Sequence, residues 1–466
     1  MLVYIRMYCG RPNMSIRVIE RDGRLVWPPT EIPKQFCYKL TNVTQIDLPG
    51  VITIQELAFA ESGLAGTIDL PSVQIVDDRA FQWCSDLTEV RMLNLTTVGS
   101  GAFSHCEQLA SVYMPNLKSI GRSAFHKCTS LKKIDLPELR SVDVQAFSGS
   151  GLAGDVVFPK LTTMDFAAMQ QCKHIKTVRL PQATDLAHYV FEGCTSLQTV
   201  DMPKIQEIRE SAFMNCASLR SVDLPEVLGI GPRAFAESGL AGHVVFPKVQ
   251  ELRDHAMRRT AIEQVSMPHL ADMGVQAFAE CENLISIDLP QLIEVGEQGF
   301  SGCRLLSGTV NLPEVIRIGD KAFYRCARLT DILLPKAECI YKFGFQGCTS
   351  LSAVSLPAAT ELRDGAFQDC TNLEAVSLPV ALYIQDNCFA GCPRSLVIDL
   401  GTNRKMWLVQ RLASNIFEHE ETSPGWTVRS EVTQNDIPFS VESRWAVPGT
   451  VQHQYGTTVE VLFYSG

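Results

Sequence analysis

The chain has 466 residues, of which 46% are hydrophobic and 20% charged, and its formal net charge is -10. This composition excludes a disordered chain and supplies enough apolar side chains for a large core. The acidic balance argues against nucleic-acid binding, which requires clustered Lys and Arg, and favours partners with basic surfaces. No apolar run approaches the roughly 20 residues of a membrane-spanning helix, so we expect no membrane insertion.

Residues 1–36 are predicted to form an N-terminal extension and a cap. The stretch SIRVIERDGRLVW places two alternating apolar runs around Asp22 and Gly23, a typical hairpin signal. A repeat array needs such a cap because an open end would expose its core and a strand edge. The first residues do not read as a secretory signal, since arginines and Pro12 interrupt the apolar run, and Met14 is an alternative start.

Residues 37–400 are predicted to form a solenoid of about 16 units of 22 residues. The consensus is LPxLxxIGxxAFxxCxxLxxVx, in which period-2 alternation followed by proline indicates a short strand. So short a unit cannot bury its own apolar face, so the strands of successive units must pair. We expect Leu, Val and Leu to point inward, Phe to close the core from the opposite wall, and IGxxAF to form a short helical or 3₁₀ segment. The predicted fold class is an α/β repeat solenoid.

An aromatic residue or methionine marks each unit, with one step of 21 residues and one of 23. These residues are Phe59, Phe81, Phe103, Phe125, Phe147, Met169, Phe191, Phe213, Phe235, Met257, Phe278, Phe300, Phe323, Phe345, Phe367 and Phe389. The phrase SGLAG recurs at 62–66, 150–154 and 238–242, which is every 88 residues. We interpret this longer period as duplication of a four-unit block; the alternative is a local change of curvature.

Residues 401–466 are predicted to form a C-terminal helix and a small β-rich module. The stretch NRKMWLVQRLASNIF, residues 403–417, has helical spacing of its apolar residues. Residues 422–466 contain three alternating runs separated by prolines, which favours strands. This segment is interpreted as a cap that also offers a second binding module.

The repeat consensus resembles the leucine-rich repeats of the BspA-like, or Treponema pallidum, type over about residues 37–400. The resemblance implies a leucine-rich-repeat solenoid and is specific for fold, but not for function. Members of that family include bacterial and protist surface proteins proposed to bind host or matrix proteins. Similar repeats occur in phage tail proteins and in intracellular eukaryotic proteins. This sequence departs from the secreted members because it shows no recognisable signal peptide.

One slot of the repeat holds a cysteine in twelve units. These are Cys84, Cys106, Cys128, Cys172, Cys194, Cys216, Cys281, Cys303, Cys326, Cys348, Cys370 and Cys392. Stacked side chains point in parallel rather than toward each other, and no spacing supplies a tetrahedral metal set. The slot also accepts Ser62, Ser150, Ser238 and Thr260. We therefore predict a small packing residue that donates a weak hydrogen bond, in a reducing environment.

The sequence contains none of the common catalytic, phosphate-binding or metal-binding motifs. We therefore predict that the protein is not an enzyme and that it uses no cofactor and no metal.

The residue between Val and Leu in LxxVxLP should point outward on the concave sheet. Seven of these seventeen positions are Asp, a residue depleted in strands. The candidate partner-binding residues in this row are Asp47, Asp69, Arg91, Tyr113, Asp135, Arg179, Asp201, Asp223, Asp288 and Asp399. Like charges on adjacent strands cost roughly 0.2 to 1 kcal/mol per pair. Two interpretations stay open, a strip that attracts a basic partner and charges that discourage aggregation.

The predicted function is a non-enzymatic protein-binding scaffold or assembly component that uses the concave sheet and the C-terminal module. The alternative is a surface or tail-fibre adhesin that binds a host protein or glycan. The corresponding locations are the cytoplasm for the first and the cell surface or extracellular space for the second.

Overall fold

Each turn of the repeat contributes one longer strand and one two-residue strand, and equivalent strands of successive turns pair in parallel. The computed structural model describes residues 24–26, 30–385, 387–393, 395–402, 427–431, 445–447, 450–452 and 458–462. Within these residues every regular element is a β-strand. Through the repeats, a longer strand of three to six residues alternates with a strand of two residues along the chain.

The chain divides into two units, Met1–Val227 with Glu237–Leu240 and Leu228–Ala236 with Ala241–Gly466. The longer strands of the first unit are Arg24–Val26, Gln45–Asp47, Gly66–Asp69, Leu87–Arg91, Ser111–Tyr113, Lys133–Asp135, Ala153–Val157, His174–Arg179, Thr199–Asp201 and Ser221–Asp223. Its two-residue strands are Glu31–Ile32, Thr53–Ile54, Ile75–Val76, Thr97–Val98, Ser119–Ile120, Ser141–Val142, Thr163–Met164, Asp185–Leu186 and Glu207–Ile208.

The second unit repeats this alternation. Its longer strands are Ala241–Val245, Ala261–Ser266, Ser286–Asp288, Gly308–Asn311, Leu329–Leu333, Ala353–Ser355, Ala375–Ser377 and Val397–Thr402, followed by Thr427–Glu431, Trp445–Val447, Thr450–Gln452 and Thr458–Leu462. Its two-residue strands are Gly229–Ile230, Glu251–Leu252, Asp272–Met273, Glu294–Val295, Arg317–Ile318, Cys339–Ile340, Glu361–Leu362 and Tyr383–Ile384.

Equivalent residues of successive turns lie opposite each other in the sheets. In the first unit Val178 pairs with Val200, and Val200 with Val222. In the second unit Val354 pairs with Val376. This register keeps each inward-pointing side chain above its counterpart in the next turn, because side chains alternate along a strand with a period of two. The predicted strand pairing of the repeat is confirmed.

The predicted helical or 3₁₀ character of the IGxxAF segment is wrong, and so, for the described residues, is the α/β fold class. Arg79 in this segment and Trp83 just after it adopt left-handed backbone conformations, with φ of 56° and 61°, and equivalent residues recur through both units. The N–H of Gln82 donates to the Arg79 carbonyl at 3.1 Å, whereas the N–H of Phe81 donates to Ala102 in the next turn at 2.7 Å. This turn wall therefore satisfies its backbone by alternating bonds within a turn and between turns, which a helix cannot do. The solenoid is built from strands and turns.

The aromatic residues form stacked columns behind the turn wall. In the first unit Phe81, Phe103 and Phe125 are fully buried, and successive ring centroids are 5.2 and 5.3 Å apart. In the second unit Phe323 and Phe345 stack at 5.2 Å with an interplanar angle of 5°. These columns close the core opposite the buried Leu and Val side chains, as the sequence predicts.

A shortened corner distinguishes the SGLAG turns. The slot residue Ser62 and the next buried leucine, Leu64, are two positions apart, whereas the corresponding residues of an ordinary turn are three apart. Gly63 lies in this corner, where an added Cβ would be 2.0 Å from the carbonyl oxygen of Thr41. A Cβ added at Gly151 would likewise be 2.0 Å from the carbonyl oxygen of Thr129 in the preceding turn. Glycine is required here because the backbones touch; a change of curvature stays a prediction.

A shift of register restores the 22-residue period in these turns. Gly66 has φ of 71°, and the pairing with the next strand shifts between Gly66 and Thr67. The turn at Thr260 has the short corner without this shift, which yields the step of 21 residues. The turn at Gly308 has the shift without the short corner, which yields the step of 23.

At the chain ends the structure describes parts of the predicted cap and module. Arg24–Val26 pairs in parallel with Gln45–Asp47, and the rest of the predicted hairpin lies outside the described residues. The predicted helix over 403–417 also lies outside them. Thr427–Glu431 continues the longer-strand sheet in parallel with Val397–Thr402.

Candidate functional site

The longer strands expose one row of side chains between buried ones. Val200 and Met202 are buried, and Asp201 between them is exposed. The inward side chains are apolar in turn after turn, so the outward positions are free to vary without cost to the core. We call the part of the outward row from Asp69 to Asp223, in the first unit, the long-strand face; it comprises Asp69, Arg91, Tyr113, Asp135, Val157, Arg179, Asp201 and Asp223.

The strand register brings the predicted residues of this face together in two groups. In one sheet Asp69 lies opposite Arg91, Arg91 opposite Tyr113, and Tyr113 opposite Asp135. In the next sheet Arg179 lies opposite Asp201, which lies opposite Asp223.

The remaining predicted residues are not members of these two paired groups. Asp47 ends the strand Gln45–Asp47. In the second unit, Asp288 accepts a hydrogen bond from the Ser266 hydroxyl at 2.8 Å. Asp399 lies opposite Ser377. The acidic positions are thus concentrated in the first unit.

The charges on the face differ in how they are compensated. Arg91 donates to Glu89 at 2.8 Å, and this hydrogen bond lowers the pKa of the Glu89 carboxyl. Asp69 lies beside the same arginine. Asp201 has Arg179 on one side, whereas its other neighbour is Asp223, so two carboxylates stand on adjacent strands. Like charges directly opposite each other on adjacent strands are mildly destabilising.

Apolar side chains also occupy the outward row, and the candidate set omits them. Val157 is 45% exposed in the first unit, and Val245 and Leu333 are 50% and 46% exposed in the second. They occupy the same outward position of the repeat as the candidate residues, and this position alone could have added them to the candidate set. Tyr113, which the set does include, is 47% exposed.

The recurring cysteine has the predicted packing role. Cys216 is fully buried, and its Sγ donates to the Phe191 carbonyl at 3.1 Å. The same carbonyl accepts the Cys194 N–H at 3.1 Å. Burial raises the pKa of the Cys216 thiol to about 12. The thiol therefore satisfies a backbone oxygen and is kept from forming the reactive thiolate.

We expect the cysteines of the described residues to resist alkylation in the native protein. All fifteen are buried. Peptide mapping after iodoacetamide treatment should show these positions unmodified under native conditions and fully modified in denaturant. Rapid native labelling of Cys216, compared with the same peptide after unfolding, would contradict the packing role.

The described residues offer shallow grooves rather than an enclosed site. A groove of about 570 Å³ on the first unit lies beside Lys133, Asp135 and Asp155. Across the described part of the chain no group of three or more His, Cys, Asp or Glu side chains is arranged to hold a metal ion. A helix long and apolar enough to cross a bilayer is likewise not found among those residues.

The repeat geometry agrees with a family model described as BspA type leucine rich repeat region, with six copies. It matches residues 30–153, 162–285, 207–316 and 271–395. The chain belongs to the BspA-type leucine-rich repeat family. This confirms the resemblance seen in the sequence. No curated protein shows significant similarity to the chain.

Among solved structures, this BspA-type chain is similar to a leucine-rich repeat protein from Bacteroides ovatus. The two share 29% identity over 67% of this chain and 87% of that chain, with a TM-score of 0.61. A leucine rich cell surface protein from Faecalibacterium prausnitzii matches at 24% identity, 64% and 87% coverage and a TM-score of 0.36. The T. pallidum leucine rich repeat protein matches at 21% identity over 47% of this chain and 77% of that chain, with a TM-score of 0.28.

Proposed function

We propose that this protein is a non-enzymatic scaffold that binds a protein partner with a basic surface through the long-strand face of its first unit. Stacked repeats of this kind present extended surfaces that generally serve protein interaction. The observation that carries the proposal is the placement of Asp223 directly opposite Asp201 on adjacent strands. A cationic side chain between the two carboxylates would replace their repulsion with two attractive contacts.

The neighbouring residues suit a protein ligand better than a small molecule. Arg91 and Tyr113 lie side by side between the acidic ends of one sheet, and arginine and tyrosine are the residue types most often found at binding hot spots. The acidic residues around them would speed encounter with a basic partner. The outward side chains of adjacent strands are about 4.8 Å apart, so the face is open and extended. Such a face fits the surface of a protein partner better than a small molecule.

Charge reversal on the face should weaken partner binding without unfolding the protein. We expect Asp201→Lys/Asp223→Lys to weaken binding at least about tenfold, or 1.4 kcal/mol, and to flatten its dependence on salt. A partner captured with the wild-type chain and identified by mass spectrometry is then titrated against both proteins by interferometry at several salt concentrations.

The matched control reverses two acidic residues elsewhere on the first unit. Glu107 and Glu207 are exposed and lie outside the outward row, so Glu107→Lys/Glu207→Lys changes the net charge equally. This control should retain wild-type affinity. Equal affinity of all three proteins, or an equal loss of affinity in both variants, would show that the long-strand face does not bind the partner.

Location in a reducing compartment stays a prediction from the cysteine pattern. A mass measurement under non-reducing conditions, on the protein isolated from its source, distinguishes the intracellular scaffold from the adhesin alternative. Free thiols throughout support the intracellular scaffold, whereas disulfides or attached glycans support the surface role.

A further inference from the structure

The first SGLAG corner leaves a notch on the surface of the first unit. Its volume is about 640 Å³, and we define the corner notch by Thr41, Thr44, Glu61, Gly63, Trp83 and Asp86. The notch exists because the corner at Gly63 is one residue shorter than an ordinary corner, so the chain there lies against the backbone of Thr41. Its volume is within the range of small-molecule sites, about 300–1,000 Å³.

Trp83 forms a fixed aromatic wall of the notch. The side chain is 46% exposed, although one face of the indole stacks on His105 with ring centroids 3.9 Å apart and an interplanar angle of 10°. His105 belongs to the following turn and Glu61 to the preceding one, each 22 residues away. The free face of the indole is therefore directed toward the turn that carries Glu61. The backbone N–H of Trp83 is held by the Ser104 carbonyl at 2.9 Å.

The surroundings of His105, behind the indole, favour its neutral form. Burial lowers the pKa of His105, and the nearby Lys127 acts in the same direction, against the smaller effect of Glu107. A neutral imidazole suits the stacked arrangement of the Trp83 and His105 rings.

The polar groups of the notch are mainly hydrogen-bond acceptors and hydroxyls. The Glu61 carboxylate accepts a hydrogen bond from the Tyr38 hydroxyl at 3.2 Å and lies 3.6 Å from the Lys39 ammonium, so its position is fixed and its charge is compensated. Asp86 adds a second carboxylate, and Thr41 and Thr44 add hydroxyls. Among the described residues that line the notch there is no Lys or Arg, which disfavours an anionic ligand.

We infer that the corner notch binds a neutral saccharide. An apolar C–H face of the sugar stacks on the free face of Trp83, and its hydroxyls donate to the carboxylates of Glu61 and Asp86 and exchange hydrogen bonds with the threonines. A flat aromatic surface combined with several acceptors matches a ligand that is apolar on one side and rich in hydroxyls at its edge. The open notch accommodates one sugar residue within a longer chain.

The second SGLAG corner, at Gly151, provides a natural control. Gln171 occupies the position of Trp83, 88 residues later, with φ of 60° against 61°. Its corner has the same short backbone at Gly151 but no aromatic wall. Trp83→Gln therefore removes the platform while using a side chain that this backbone already accepts.

Saturation-transfer NMR on the full chain tests the inference with cellotetraose, chitotetraose, mannotetraose and, as a cationic probe, tetramethylammonium. At least one oligosaccharide should receive saturation from the wild-type protein. Trp83→Gln should weaken that binding at least about tenfold, Trp83→Phe should retain most of it, and Gln171→Ala should leave it unchanged. Asp201→Lys/Asp223→Lys should also leave it unchanged, which separates this site from the long-strand face.

Three results would overturn the saccharide site. These are the absence of binding by all three oligosaccharides, binding that survives Trp83→Gln, and binding of tetramethylammonium alone. A thermal melt of each variant, compared with wild type, shows that lost binding is not lost folding.

Discussion

Phe103→Ala is expected to lower the free energy of unfolding of the first unit by about 3–5 kcal/mol. The ring is fully buried between Phe81 and Phe125, with centroid distances of 5.2 and 5.3 Å. Truncation loses the transfer free energy of the ring and leaves a cavity that its neighbours cannot fill, because the backbone ladders on both sides fix the distance between turns. Guanidinium denaturation followed by circular dichroism measures the loss.

Phe166→Ala is the matched control for this substitution. Phe166 is on the turn wall of the same unit but is 41% exposed, and it contacts the Tyr189 ring at a centroid distance of 5.2 Å. We expect its removal to cost at most about 1 kcal/mol. Similar losses in the two variants would show that the phenylalanine column does not carry the core.

Gly63→Ala is expected to destabilise the first unit by about 1–3 kcal/mol, the range found for overpacked sites. The new Cβ would lie 2.0 Å from the carbonyl oxygen of Thr41, so the backbone of one turn must move. No flexible side chain can absorb the clash, since the nearest atoms all belong to the backbone of Thr41. The same denaturation experiment measures the loss, and the variant should also alter the corner notch.

Gly50→Ala controls for the loss of glycine itself. A Cβ at Gly50 meets no atom within 4 Å, and the residue is not in the left-handed region. Alanine there should be neutral or stabilising by up to about 1 kcal/mol, because it restricts the unfolded chain. If Gly63→Ala proves as harmless as Gly50→Ala, the shortened corner is not closely packed.

The sequence was sufficient to predict the core and the stacking of the repeats. The alternation around Val200 and Met202 correctly separates buried positions from the exposed Asp201. The recurrence of Cys216 and its equivalents in one slot correctly indicates a packing role, because a reactive site has no reason to repeat in every turn. Both inferences succeed because they rest on periodicity, which stacking imposes directly on the sequence.

The turn wall could not be predicted from the same pattern. The IGxxAF segment has apolar spacing compatible with a helix, and a left-handed conformation at a residue such as Arg79 or Trp83 is unfavourable in isolation. It becomes favourable only when the next turn supplies acceptors, as the Ser100 carbonyl does for the Arg79 N–H and the Ser104 carbonyl for the Trp83 N–H. These partners are non-local, so local propensity gives the wrong answer.

The long-strand face and the corner notch differ in how far each can be predicted from the sequence. The long-strand face follows from period-2 alternation, and the register then shows which charges meet, such as Asp201 and Asp223. The corner notch depends on a single missing residue at Gly63 together with Trp83 in the next turn. The SGLAG phrase was a usable signal for the first part, but the stacking of Trp83 on His105 requires the structure.

Carboxylate footprinting of the partner complex tests whether the partner binds through the long-strand face. Carbodiimide coupling of a small amine labels exposed carboxylates, and peptide mapping compares the labelling of the free and bound protein. If the partner binds the long-strand face, Asp201 and Asp223 are protected on binding, whereas Glu107 and Glu207 are labelled equally in both states. Unchanged labelling of Asp201 and Asp223 in a saturated complex would contradict binding through the long-strand face.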